Sequence, residues 1–120
     1  MPLPGNHTLN TEHLTAYTPS CGASPVAAYI RVPFRCRVLK ATGILGGAIT
    51  AADGAVTVAA NGNTLATIAV SQAGSGAGQL FSAVPASPTY LNEDDVIALT
   101  PSGASGAAVS MHFSVSVRTA

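Results

Sequence analysis

Residues 107–118 alternate so strictly that they admit one kind of backbone. Val109, Met111, Phe113, Val115 and Val117 fall on one parity, and Ser110, His112, Ser114, Ser116 and Arg118 on the other. Only an extended strand, whose side chains point to opposite faces with a period of two, sorts such a sequence into an apolar and a polar side. The apolar side has to be covered by a second layer. No segment of the chain shows a sustained helical period with caps, so that layer is expected to be another sheet.

The rest of the chain keeps the same rhythm. Residues 29–38 place Ile30, Val32, Phe34, Cys36 and Val38 on one parity and Arg31, Arg35 and Arg37 on the other. Pro33 has no N–H to give a ladder, so it marks an edge position or a bend that splits this run into two strands. Residues 39–45 lead into Gly46-Gly47, and Asn61-Gly62-Asn63 separates an alternating run over 54–60 from another over 64–71. Asn-Gly in that setting predicts a hairpin over 55–71, because a type I′ turn needs positive φ at both central residues. A Gly/Ala loop over 72–78 precedes a short strand over 79–84. A strand over 94–100 follows the turn Asn92-Glu93-Asp94, and 101–106 form a second Gly/Ser loop. Seven or eight short strands so spaced predict a β-sandwich or barrel. The fold expected is all-β, one sandwich over residues 25–120. Residues 1–24, with isolated Leu3, Leu9, Leu14 and Tyr17 and no steady period, are expected to be an extended N-terminal arm that becomes ordered across a neighbour.

Charge then narrows the function. Charged residues are 8% of the chain, with five basic and five acidic side chains and a formal net charge of zero, against about 25% charged residues in ordinary globular domains. A lone soluble domain keeps apart from its neighbours by net charge, so this composition points to a surface hidden in an assembly. Nucleic acid is not the expected partner, since phosphate binding needs a basic excess. No run of eighteen apolar residues spans a membrane. Met1-Pro2-Leu3-Pro4-Gly5 has neither the basic nor the apolar region of a secretory signal, so synthesis in a cytoplasm is expected, with exit by lysis or a leaderless route. In that compartment the acceptor pattern Asn6-His7-Thr8 is a coincidence.

The residues that carry chemistry are scattered. His7, His13 and His112 form no metal-binding spacing, and Cys21 and Cys36 no CxxC pair, so both thiols are expected reduced, although the sequence leaves open whether they pair. Glu93-Asp94-Asp95 supplies hard oxygens of the kind calcium takes, but without further ligands its expected role is to form a turn and start a strand. Glu12 and Asp53 are isolated, and no serine lies in a nucleophile motif. Neither 74–78 nor 103–106 is followed by the lysine of a phosphate-binding loop. No enzyme, metal or cofactor is expected. The distinctive feature is a basic ladder: Arg31, Arg35, Arg37 and Lys40 lie within ten positions. Besides a solvated face, it suits docking to an acidic partner, because the guanidinium fork pairs bidentately with carboxylates.

The stretch 47–58, followed by Asn61-Gly62, the strand Thr67-Ile68-Ala69-Val70, the loop 74–78, Asp95-Val96-Ile97 and Thr100-Pro101-Ser102-Gly103, resembles small head-decoration (capsid auxiliary, or cement) proteins of tailed bacteriophages over roughly residues 44–106. The resemblance implies a jelly-roll-like sandwich that forms homotrimers on the outer capsid surface and braces neighbouring coat subunits after synthesis in the host bacterial cytoplasm. It carries over no binding motif. The candidates for gripping the major capsid protein are therefore the basic residues Arg31, Arg35, Arg37 and Lys40 and the arm residues Leu9, Leu14 and Tyr17. The competing expectation is a fibre, spike or carbohydrate-binding module using loops 72–78 and 101–106. Only six aromatic residues and no tryptophan are present to build sugar platforms.

Overall fold

In the computed structural model, which describes residues 11–50, 52–102 and 108–120, the final alternation becomes strand β9, Met111–Thr119. Met111, Phe113, Val115 and Val117 are almost wholly buried, and His112 and Arg118 are exposed. The hairpin forms between β4, Gly54–Ala60, and β5, Asn63–Val70. Asn61 and Gly62 take φ values of 54° and 78°, as the type I′ turn demands.

Pro33 splits its run. β2, Ala28–Arg31, and β3, Cys36–Leu45, lie in different sheets, and the chain crosses from one to the other over residues 32–35. The remaining strands are β1, Thr11–Thr18; β6, Leu80–Ala83; β7, Tyr90–Leu91; and β8, Val96–Pro101. No helix occurs among the described residues.

The strands form two antiparallel sheets. One runs β1-β9-β3-β6, with β7 also paired to β3; the other runs β2-β8-β4-β5. Partners are nested along the chain, β1 with β9, β2 with β8, β3 with β6 and β4 with β5, and successive pairs alternate between sheets. The protein is thus an all-β sandwich of two antiparallel sheets. Side chains from both inner faces, including Phe113, Met111, Leu45, Ile68, Ile97 and Leu99, fill the space between the sheets. Each such burial contributes roughly 1.5–3 kcal/mol.

The arm expected over residues 1–24 is not an arm where it is described. Thr11 to Thr18 pair residue by residue with Arg118 to Met111 as the edge strand of the larger sheet. Thr18 is fully buried, and its Oγ1 donates to the carbonyl of Val26 at 2.6 Å and accepts from the Ser20 N–H at 3.3 Å. Cys21 N–H then donates to Val109 O at 2.8 Å. Backbone pairing and hydroxyl bonds hold a segment whose apolar content alone gave no sign of it.

Candidate docking face

The outward side of the five-stranded sheet is a two-part surface whose composition follows from strand register. At one end Tyr17 of β1, His112 of β9, Ile44 of β3 and Leu80 of β6 form a row across four strands. Tyr17, Leu80 and Ile44 remain 52%, 50% and 40% exposed, large values for apolar groups on a sheet. The next row, Thr15, Ser114, Thr42 and Ser82, is made of small side chains. The step between them leaves a groove of about 430 Å³. The Tyr17 and His112 rings meet in it at 4.8 Å, tilted by 54°.

At the other end the face turns basic. Arg37 stands opposite Arg118, and Lys40 opposite Ser116. Strand parity alone would send Arg37 and Lys40 to opposite sides. A register shift between Val38 and Lys40 inserts one extra residue, half-buried Leu39, and brings both cations to the outer face.

The basic ladder expected on one strand is therefore divided. Arg31 lies on β2, in the other sheet, where its Nε donates to Asp94 at 2.6 Å and its Nη2 stands 3.8 Å from Glu93. These side chains are more than 60% exposed, so the pair is worth at most about 1 kcal/mol. Arg35 sits in the bend after Pro33, donating to Asn92 Oδ1 at 2.7 Å, with its guanidinium 5.7 Å from the centre of the Tyr90 ring. The bend at Pro33 separates what the sequence aligned. Leu14 belongs to the inward side of β1 and packs against the core, so it is not free to lie on a neighbour. Tyr17 is on the outer face, and Leu9 lies outside the described residues. Sequence parity placed Arg118 and His112 outward but gave no hint that β9 pairs with β3, which is what sets them beside Arg37 and Ile44.

The acidic turn is structural. Asp94 has φ of 70°, Asp95 accepts from the Asn92 N–H at 2.8 Å and from Asn61 Nδ2 at 3.1 Å, and the turn is tied to β2 through Val32. Among the described residues no group of three His, Cys, Asp or Glu side chains is placed to hold a metal ion, and no helix is long and apolar enough to cross a membrane. Both cysteines are free and buried. Burial pushes both thiols up from their ordinary value, and negative Asp95 adds to the effect at Cys36. Thiols so held are poor nucleophiles. Loop 72–78 is braced by Ser75, whose Oγ donates to Gln72 O at 2.7 Å and accepts from the Ile49 N–H. Most of loop 101–106 lies outside the described residues.

No family model matches the chain, and no curated protein is significantly similar to it in sequence. Among solved structures it is similar to a chain of the cyanophage Pam1 capsid asymmetric unit, with a TM-score of 0.58 at 16% identity, over 92% of this chain and 86% of that one. At that identity the likeness is one of fold, and it extends almost from end to end of both chains.

Proposed function

We propose that this protein is a structural component of a phage virion: a homotrimer that decorates the outer capsid surface, binds coat subunits and stabilises the shell. The observation that carries this reading is the nearly complete fold likeness to a chain found within a cyanophage capsid asymmetric unit. It agrees with the sequence resemblance to head-decoration proteins, which rests on separate features. Composition adds support, since a chain with 8% charged residues and zero net charge has a surface suited to permanent burial in an assembly. Many identical attachment sites on a shell give such a protein avidity without a large interface per copy, and bracing requires no chemistry.

Light scattering after size-exclusion chromatography tests the trimer. The expected mass is about three times 11.9 kDa. A monomer that persists at high concentration counts against it.

A further inference from the structure

Arg37 and Arg118 face each other directly across β3 and β9, with Lys40 in the adjacent row. Opposed residues in an antiparallel pair hold their Cβ atoms about 5 Å apart, and like charges so placed are destabilising. All five carboxylate side chains of the sequence belong to described residues, and four are engaged elsewhere. Glu93 and Asp94 lie on Arg31, Asp95 on Asn61 and the Asn92 backbone, and Asp53 on the Gln72 N–H. The fifth, Glu12, stands opposite Val117 and so belongs to the inward parity of β1. Both ion pairs formed by described residues go to Arg31. The fold thus gathers three cations on one open corner of a sheet and places no acidic side chain among them.

We infer that Arg37, Lys40 and Arg118 form a docking point for carboxylates on the surface of a partner protein. Two guanidinium forks side by side offer paired N–H donors in the arrangement a carboxylate accepts, with an ammonium beside them. A polyanion such as nucleic acid fits less well, because zero net charge provides no wider field to hold it. The inference rests on the capsid reading only for the partner's identity, in which the acidic surface belongs to a coat subunit. The repulsion between Arg37 and Arg118 in the free protein is relieved when a carboxylate sits between them.

Titration of the full chain with poly-L-glutamate at low salt, followed by NMR of backbone and arginine N–H signals, tests this directly. Saturable shifts are expected at Arg37, Lys40 and Arg118, lost at about 0.3 M salt where screening is strong. The double variant Arg37→Ser/Arg118→Ser is expected to bind roughly tenfold more weakly. Its thermal midpoint is expected to stay level or rise by about 2 °C, because the opposed charges are gone. Shifts centred on Arg31, no saturable shifts, or tighter binding of a single-stranded DNA oligonucleotide of equal length overturns the inference. Adding both proteins to capsid shells separates it from the capsid reading. If the unaltered chain does not copellet, the capsid reading fails while the polyglutamate result stands. If both copellet equally at every salt concentration, the docking assignment fails.

Discussion

Arg31 and Arg37, six positions apart and of equal parity, are set to different tasks by their surroundings. Arg31 closes on the chain's own acidic turn, and Arg37 faces another arginine. Arg31→Ala is accordingly expected to lower stability by no more than about 1 kcal/mol in urea unfolding and to leave partner binding unchanged. Gly43 is constrained more tightly. It lies on the inward side of β3, where an added Cβ would collide with the end of fully buried Met111 and touch Phe113 at 3.4 Å. Gly43→Ala is expected to cost about 1–3 kcal/mol by denaturant unfolding, and an unchanged midpoint would show that Met111 has room to move. The thiols give a pH dependence whose sign follows from their raised values. The stability they contribute is fully present below 9.0, the value of an unfolded thiol, and is lost as pH rises from there through the higher folded value. Each contributes a slope of at most about 1.4 kcal/mol per pH unit. Cys36→Ala should flatten that alkaline decline; an identical decline would assign it to other groups.

The elements that periodicity marks most clearly, β9 and the β4–β5 hairpin, lie where the sequence puts them, because a buried face and an Asn-Gly turn each allow a single backbone solution. Pro33 showed that residues 29–38 divide, but not that the two halves enter different sheets, since no local signal encodes which sheet a strand joins. Leu39 likewise gives no local sign of the register shift, yet that one residue sets Lys40 beside Arg37. β1 was hard to read for another reason: beyond Leu14 and Ala16 against the core, Thr11–Thr18 is held by ladder bonds to β9 and by the Thr18 hydroxyl, neither of which leaves an apolar pattern. The candidate face was therefore only half legible, its members present in the sequence and their juxtaposition absent from it. A chain beginning at Thr11 is expected to keep its cooperative unfolding transition. One beginning after Thr18 leaves the edge of β9 bare and is expected to aggregate or unfold, as monitored by circular dichroism and sedimentation. Equal stability of the two truncations would mean that β1 is dispensable to the sheet.

At the scale of the molecule, the two outer faces of the sandwich differ. The four-stranded sheet presents Ala55, Thr57, Ala59, Ala98 and Thr100 outward, with exposed Tyr29 beside Ala98 and Arg31 on its edge strand; the five-stranded sheet presents the groove and three cations that form no ion pair with the described residues. A protein so poor in charge that still concentrates three cations on one face is suited to being held by that face. The sandwich is a two-layer body, and in the proposed role attachment at many identical sites would let such a body brace a shell. The most direct measurement of the proposed role is to add increasing amounts of the purified chain to phage capsid shells that carry no decorating protein, and to pellet the shells. Saturable copelleting at a fixed ratio to coat protein, together with shells that withstand higher temperature, is the predicted result. A chain that stays in the supernatant at every concentration would contradict a decorating role.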